Sequence, residues 1–366
     1  MKKKPIPKKI KKILTAHEDK RIDWYYWLRD DKRRNPEILN YLEQENRYTK
    51  YWFKKNKINS KGIFKFYKDS IPKSEDSIKT KLDDYQYFSS SSLSLEYKKY
   101  YRIFKGRKKL ILDINNLAKN KKFYDISTIN PSRNHKFLAY GEDTKGRREF
   151  SIVIKDINKN KNIEKNRCSS TGSIIWNKDS DGYFYLKKDP KTLVTNSFYF
   201  HKIGEDKKKD KLIYKEKDKH FNLNITLSRS KKYIFLYSSK TESNEIWFLD
   251  LHNKKINLKC FLKRKNKHLY YIDDSPEEFF ILSNKNNQKN FALYKVPLSD
   301  YDEKNWKFII RHKENELLED FQIFKNNIVL ETRKNGLPQL VIINRNKNQK
   351  TYIKFQDSSY TVSLAS

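Results

Sequence analysis

From about residue 75 onward the chain is a succession of short runs rich in Tyr, Phe, Ile and Val, each separated from the next by a polar turn. Aromatic and β-branched residues favour strands, and many short runs with turn signals between them are typical of all-β domains. The predicted strands are Tyr85–Phe88, Tyr100–Phe104, Leu110–Asp113, Phe137–Tyr140, Phe150–Ile154, Gly182–Leu186, Ser197–His201, Lys211–Tyr214, Tyr233–Tyr237, Glu245–Asp250, Phe279–Leu282, Phe291–Tyr294, Asn327–Leu330 and Gln339–Ile343. The sequence therefore predicts a mainly β domain.

These strands also form groups. A strand that ends in Asp and continues into a polar turn recurs at Asp113, Asp156 and Asp250, and each follows a more central apolar strand. The repeat distance is roughly 45 to 50 residues, which is the size of one blade of a β-propeller. The pattern favours a propeller, with an ordinary antiparallel sandwich as the alternative.

A different pattern lies before this region. Trp24, Tyr25, Tyr26 and Trp27 are consecutive, so they cannot share one face of a helix or alternate along a strand. They predict an extended segment held on several sides by other parts of a protein. A helix should follow, because Asn35 suits the N-cap, Pro36 suits the first helical position and an acidic residue comes next.

The change from helix signals to short strand-like runs along the sequence predicts two domains. Residues 1–72 should form an N-terminal arm with one or two helices, which end before Pro72 because proline disfavours helix in the residue before it. Residues 73–366 should form the β domain.

The N-terminal residues also carry a family resemblance. The order Arg21-Ile-Asp23, Tyr25-Tyr-Trp27-Leu-Arg-Asp30-Asp31, Pro36-Glu37, Tyr41-Leu42 and Glu45-Asn46 closely resembles the N-terminal signature of the oligopeptidase B family, serine peptidases of the prolyl oligopeptidase group. The resemblance continues through Ala139-Tyr-Gly-Glu-Asp143 and Asn290-Phe-Ala-Leu-Tyr294. It extends from about His17 to the C-terminus.

In that family an N-terminal arm packs on an α/β-hydrolase domain, and a seven-bladed propeller covers the active site and admits short peptides. The resemblance therefore implies a helical arm followed by an incomplete propeller of the seven-bladed type, with about five to six blades present. It implies peptide hydrolysis after Arg or Lys in the complete enzyme, with this chain gating access. Trp24, Tyr25, Tyr26 and Trp27 are the candidate residues for docking to the catalytic domain.

The catalytic elements of the family are not found in the sequence. A nucleophile elbow needs Gly-x-Ser-x-Gly, and no two of the eight glycines are four positions apart. The seven histidines are scattered, and the adjacent pairs Asp30-Asp31, Asp83-Asp84 and Asp273-Asp274 should face apart on turns. We assign no catalytic, cofactor-binding or metal-binding residue, and we expect the hydrolase domain to be missing and the chain to be inactive alone.

Composition adds expectations about compartment and partners. The net charge of +36 invites nucleic-acid binding, but Lys is spread along the whole chain without a recognisable motif. Cys168 and Cys260 match no zinc or redox spacing, so two free thiols in a reducing compartment are expected. No signal peptide or membrane span is predicted, and we expect a soluble, cytoplasmic protein without cofactors.

Two other functions remain open. The chain could be the non-catalytic half of a split peptidase that assembles with a separately encoded catalytic chain. It could also be a basic module that binds nucleic acid or acidic protein by itself, in which case binding should depend steeply on salt.

Overall fold

The computed structural model describes residues 3–253, 255–347 and 349–364. The chain divides into two compact units, one up to Gly106 and one from Arg107. The strands that follow the arm up to residue 104 thus belong to the same unit as the arm. The boundary predicted at residues 72–73 lies inside this first unit and stays a prediction.

The first unit combines a hairpin, two helices and a small antiparallel sheet. Its elements are β1 (Lys12–Ala16), β2 (Asp19–Asp23), a 3-10 turn (Tyr26–Leu28), α1 (Pro36–Lys55), α2 (Ser60–Ser70), β3 (Ser74–Asp76), β4 (Thr80–Leu82), β5 (Tyr85–Ser92) and β6 (Lys99–Phe104). Strand β1 pairs with β2, while β5 pairs with β3, β4 and β6.

Helix α1 begins as predicted. The Asn35 side chain accepts a hydrogen bond from the Glu37 amide at 3.0 Å, and Pro36 occupies the first helical position. The Asp30 carboxylate accepts from the amides of Arg34 and Asn35 at 2.5 and 2.7 Å, which fixes the turn before the helix. Helix α2 ends at Ser70, two residues before Pro72, as the sequence predicted.

The backbone of the aromatic run differs from the prediction. The Leu28 amide donates to the Tyr25 carbonyl and the Arg29 amide to the Tyr26 carbonyl, both at 3.0 Å, so Tyr26–Leu28 form a 3-10 turn. The expected extended conformation is therefore wrong here. The physical reason lies at Asp23, whose carboxylate accepts from the Tyr25 amide at 2.9 Å and starts the turn.

The second unit is almost entirely β. Its elements are β7 (Arg107–Asp113), α3 (Ile114–Ala118), β8 (Asp125–Pro131), β9 (Phe137–Asp143), β10 (Phe150–Asp156), β11 (Lys161–Trp176), β12 (Gly182–Lys188), β13 (Thr195–Lys202), β14 (Lys211–Lys215), β15 (Asn222–Leu227), β16 (Tyr233–Lys240), β17 (Ser243–Asp250), β18 (Leu258–Leu262), β19 (Tyr270–Asp274), β20 (Glu278–Ser283), β21 (Ala292–Pro297), β22 (Lys307–Ile310), β23 (Leu317–Ile323), β24 (Asn327–Lys334), β25 (Leu337–Asn344) and β26 (Lys350–Tyr352). Strands β8 to β14 form one sheet in chain order, and β15–β18, β19–β22 and β23–β26 form three four-stranded sheets.

Each of these sheets packs on the next one along the chain. Phe184 and Phe198 of the seven-stranded sheet share a core with Leu236 of β16. Phe235 shares a core with Phe279 of β20, and the next core joins β20 and β21 to β23–β25. Sequential antiparallel meanders that stack on their neighbours are the blades of a propeller. The prediction of a mainly β, propeller-type fold is confirmed, and the number of blades stays a prediction.

The recurrent Asp of the sequence has one structural role. The carboxylates of Asp113, Asp156 and Asp250 each accept a hydrogen bond from the backbone amide two residues later, at 3.0, 2.9 and 2.8 Å. The Asp156 and Asp250 carboxylates thus fix the turns that follow their strands, whereas Asp113 is the N-cap of α3. The repeat seen in the sequence is a repeat of aspartates that bind the backbone just after a strand.

Strand β11 belongs to two groups of strands. Residues 161–166 pair with β10 and residues 174–176 pair with β12, while Ser170 between them pairs with both. Both ladders shift register between these parts, and the intervening residues bend the strand from one neighbour to the other.

Candidate docking surface

The helices of the first unit expose several large apolar side chains. No residue of α2 is buried, and Phe64, Phe66 and Tyr67 are 68%, 68% and 65% exposed. Isolated exposed apolar residues are normal on protein surfaces, but a group of large ones marks an interaction site. We call these three residues and Ile63 the α2 face.

Helix α1 also leaves most of its apolar residues exposed. Of its residues only Ile38 is buried, although the sequence provides an apolar stripe that should seek burial. Leu42 and Trp52, which belong to that stripe, are about half exposed. The helix therefore has far more apolar surface than the first unit covers.

The four aromatic residues singled out by the sequence divide into two pairs. Trp24 and Tyr25 are exposed, at 43% and 42%. Tyr26 and Trp27 are half-buried. The Trp27 indole donates to the Lys8 carbonyl at 2.8 Å, and its ring contacts Tyr41 edge-on with centroids 6.1 Å apart. Trp27 thus holds the arm against α1, while Trp24 and Tyr25 are free to contact a partner.

Sequence reasoning did not assign the α2 face to the docking surface. A signal was present, because four large apolar residues occupy positions 63, 64, 66 and 67 between Lys61 and Lys68. Whether such a stripe is buried within its own domain or left exposed depends on the rest of the fold, which the pattern alone does not contain.

Two of the adjacent acidic pairs, Asp30-Asp31 and Asp273-Asp274, make hydrogen bonds that fix the backbone. Asp30 caps the turn before α1, as described above. The side chains of Asp273 and Asp274 accept from the amides of Arg229 and Ser230 at 2.8 and 3.1 Å and so join β19 to the loop after β15. Within the three described ranges, no group of three or more His, Cys, Asp or Glu side chains is arranged to hold a metal ion.

The structure brings one serine and one histidine together that the sequence did not suggest. Ser283 Oγ lies 2.8 Å from His268 Nε2, and the ring stacks on Tyr270. Ser283 is fully buried, so a substrate cannot reach its hydroxyl. We interpret this pair as a core hydrogen bond.

Cys168 and Cys260 are both free and half-buried. Burial raises the pKa of each thiol to about 11, so both are protonated at neutral pH. None of the helices in the described part of the chain has the length and apolarity needed to cross a lipid bilayer.

Comparison with known proteins agrees with the fold. Residues 4–366 match the family described as prolyl oligopeptidase, N-terminal beta-propeller domain. Protease 2 of Moraxella lacunata is 29% identical over 99% of this chain and 53% of that protein. Oligopeptidase B from Leishmania major superposes with a TM-score of 0.91 at 22% identity, over 99% of this chain and 55% of the other.

A second solved structure, oligopeptidase B from Trypanosoma brucei in a closed form with covalently bound antipain, has a TM-score of 0.88 at 22% identity. The match covers 98% of this chain and 54% of the T. brucei protein. The chain thus spans about half the length of the relatives it matches. Because the family model covers the chain from residue 4 to its last residue, the chain belongs to the prolyl oligopeptidase family through its N-terminal β-propeller domain.

Proposed function

We propose that this chain is the propeller part of an oligopeptidase-B-like serine peptidase and controls the access of short peptides to a catalytic domain. It acts together with that domain, either as part of one polypeptide or as a separately encoded chain, and it is inactive alone. The observation that carries the proposal is the exposed apolar surface of α1, α2 and the arm in a chain that matches about half of its relatives.

The catalytic domain is the occupant that this surface fits best. In Protease 2 of Moraxella lacunata the matched region is 53% of the protein, so a further part of similar size exists there. The α2 face and the exposed pair Trp24 and Tyr25 provide the aromatic residues that dominate protein interfaces. Docking would remove their apolar surface from water, at roughly 25 cal/mol for each Å² buried.

The substrates we propose are short peptides cleaved after Arg or Lys. The T. brucei protein binds antipain covalently in a closed form, which supports a propeller and a catalytic part that enclose the ligand. The groups that select a basic residue would lie mainly on the catalytic domain, and the propeller would select peptides by size.

The test is reconstitution. This chain is mixed, or fused, with the part of Moraxella lacunata Protease 2 that lies outside the matched region. We expect complex formation in analytical ultracentrifugation and hydrolysis of a fluorogenic Arg peptide, with little hydrolysis of a large protein substrate. Hydrolysis by the 366-residue chain alone, or failure to bind the catalytic part in either arrangement, would contradict the proposal.

The exposed residues Trp24 and Tyr25 allow a prediction about individual side chains of the docking surface. Replacing both Trp24 and Tyr25 by Ala should weaken binding to the catalytic part by about 2 kcal/mol or more, because exposed aromatic anchors dominate such interfaces. The arm itself should stay intact, since Trp27 makes its contacts with Lys8 and Tyr41 independently. The measurement is the dissociation constant by isothermal titration calorimetry.

The matched control is Tyr352→Ala, because Tyr352 is 48% exposed but lies on β26 of the second unit. This variant should bind the catalytic part as the unchanged chain does. If the Trp24→Ala, Tyr25→Ala double variant also binds normally, these two residues are not part of the docking surface.

A further inference from the structure

His201 of β13 is a buried histidine with a carboxylate at each ring nitrogen. It is 2% exposed. Its Nδ1 lies 2.5 Å from Asp210 Oδ1 and makes a hydrogen bond, whereas its Nε2 lies 3.1 Å from Glu164 Oε1 without the alignment of a hydrogen bond. A neutral imidazole carries one proton and one lone pair, so one ring nitrogen would turn a lone pair toward a carboxylate. Two carboxylates at ion-pair distance therefore favour the doubly protonated, positively charged ring.

The groups around His201 support the same protonation state. Tyr183 donates to Glu164 Oε1 at 3.1 Å, and Tyr185 donates to Asp210 Oδ2 at 2.6 Å. Burial raises the pKa of both tyrosines, so their hydroxyls stay protonated and add no charge. Cys168 of β11, which lies near these tyrosines, also remains neutral because burial raises its pKa. Glu164 and Asp210 are thus the charged groups that face His201.

The cluster ties two parts of the second unit together. Glu164 belongs to β11, and its other oxygen accepts from the Gly204 amide at 2.9 Å. Asp210 ends the loop of residues 203–210, which carries the exposed residues Lys207, Lys208 and Lys209. The His201 ring thus lies between the carboxylate that binds the Gly204 amide near the start of this loop and the carboxylate at its end.

The opposite side of the same stretch of β11 lines a cleft. Glu164 and Asn166 point toward the cluster, whereas Lys165 and residues 167–169, including Cys168, line a cleft of about 390 Å³. In the ladder with β10, Asn166 is paired with Ile152 and the next pair is Ser170 with Phe150. The residues between Asn166 and Ser170 lie in this register shift, so the irregular part of the cleft wall begins directly after the residues that contact the cluster.

We propose that His201 is a pH-sensitive clamp. While its ring is protonated, it pairs with carboxylates of β11 and of the loop of residues 203–210. When the ring loses a proton it can no longer pair with both, and the loop and the cleft wall at residues 165–169 loosen. The proposal concerns the second unit alone and does not depend on the proposed peptidase function.

The direction of the pH dependence follows from the surroundings of the ring. Burial by itself would lower the pKa of His201, but Glu164 and Asp210 outweigh it, and the pKa is raised above its ordinary value of 6.5. For a group with a raised pKa, the stabilisation is fully present below the unfolded-state value and is lost as the pH rises through the folded-state value. The clamp is therefore closed in mildly acid solution and opens on the alkaline side.

The first experiment is NMR on the full chain with 15N-labelled histidine. The chain contains seven histidines, and the His201 signals are assigned by their loss in a His201→Gln variant. We expect both ring nitrogens to carry protons at neutral pH and to titrate above 6.5. His268 is an internal control, because burial lowers its pKa and its Nε2 faces a serine rather than a carboxylate. A His201 ring that is neutral at pH 6.5 would overturn the proposal.

The second experiment measures release of the loop. Hydrogen exchange, corrected for the chemical effect of pH, is followed in peptides covering residues 203–215 between about pH 6 and about pH 9. Protection should fall several-fold across this range. The loop of residues 189–194 between β12 and β13 is the matched control, since the Asp189 carboxylate holds it through the Lys191 and Thr192 amides without a histidine. Equal behaviour of the two loops would overturn the clamp.

The Asp210→Asn variant tests whether the contact between Asp210 and His201 controls the pH dependence. Asp210→Asn removes one of the two carboxylates but keeps a side chain of the same shape, so the His201 titration and the loss of loop protection should both move to lower pH. If both transitions stay where they are in the unchanged chain, the Asp210 carboxylate does not control the clamp and the proposal fails. If the His201→Gln chain does not fold, the His201 signals are identified as those whose titration moves in the Asp210→Asn variant.

Discussion

Gly172→Ala should destabilise the second unit by about 2 to 5 kcal/mol, or prevent its folding. Gly172 has a φ of +85°, where a residue with a side chain costs about 1 to 2 kcal/mol. A Cβ atom there would lie 2.6 Å from Ser127 Cβ and 2.8 Å from Phe150 Cγ. Relieving such overlaps costs a further 1 to 3 kcal/mol or so. Urea unfolding followed by Trp fluorescence would measure the loss.

The reason that glycine is needed is the bend in β11. Gly172 lies between the part of the strand that pairs with β10 and the part that pairs with β12. Ser127 Oγ accepts from the Gly141 amide at 2.8 Å and donates to the Gly172 carbonyl at 2.7 Å, which draws three strands together at this point. No side chain larger than hydrogen fits between them.

The chain contains a matched control for the backbone part of this effect. Gly336, in the turn between β24 and β25, has a φ of +80°, but a Cβ atom there would meet nothing within 4 Å. Gly336→Ala should therefore cost only the conformational part, about 1 to 2 kcal/mol. If the two variants lose the same stability, the close packing of Gly172 against Ser127 and Phe150 has no energetic consequence.

The central strands of the β region were predictable because their composition is strong. Tyr233–Lys240 and Glu278–Ser283 are examples, since both are buried on most positions and read as continuous apolar runs. The predicted runs all coincide with strands, and the repeated Asp turns identified the repeat. At these strands the residues favour β structure and also lie in the buried core, so the sequence pattern alone was sufficient to predict them.

The strands that the pattern missed are mostly polar or lie at the edges of sheets. β15 (Asn222–Leu227) alternates Asn with apolar residues and is largely exposed, and β26 (Lys350–Tyr352) is exposed throughout. β11 was missed although it is the longest strand, because its first half is rich in Lys and Asn. Pairing with a neighbour, rather than intrinsic preference, makes these segments strands.

The candidate docking surface was predicted in part. The sequence and the family resemblance pointed to Trp24, Tyr25, Tyr26 and Trp27, but they could not separate the exposed pair from Trp27, which packs on Tyr41. That distinction depends on the hydrogen bond from the Trp27 indole to the Lys8 carbonyl. This contact joins residues that are far apart in the sequence, so the local pattern does not reveal it. Whether any of the four contacts a catalytic domain stays a prediction.

Arg264→Leu should cost about 3 to 5 kcal/mol, because it leaves two buried carboxylates without their counter-ion. Arg264 Nη2 donates to Glu216 Oε2 at 2.7 Å and to Glu245 Oε1 at 3.2 Å. The side chains of these acids are only 4% and 9% exposed. The guanidinium also lies 4.0 Å from the centre of the Phe221 ring. The cluster joins the end of β14 to the sheet of β15–β18.

The appropriate control is an arginine pair of good geometry at the surface. Arg333 makes two hydrogen bonds to Glu319, at 2.7 and 3.1 Å, but the two side chains are 42% and 23% exposed. Arg333→Leu should cost about 1 kcal/mol or less, because water and salt screen exposed pairs. Equal losses in the two variants would show that the burial of Glu216 and Glu245 is not what makes Arg264 important.

The pH dependence of Arg264→Leu separates loss of charge pairing from loss of packing. Burial tends to raise the pKa of Glu216, but the Ser238 hydroxyl, the Asp218 amide and Arg264 together lower it below its ordinary value. A lowered pKa gives stabilisation that is present above the unfolded-state value and lost as the pH falls through the folded-state value. Without the guanidinium the pKa of Glu216 should rise, because only the Ser238 hydroxyl and the Asp218 amide then oppose the effect of burial, and protonation relieves the unpaired charge. The deficit relative to the unchanged chain should therefore shrink as the pH is lowered from 7 toward about 5. A deficit that is constant over this range, measured by urea unfolding, would mean that the lost packing on Phe221 accounts for the effect.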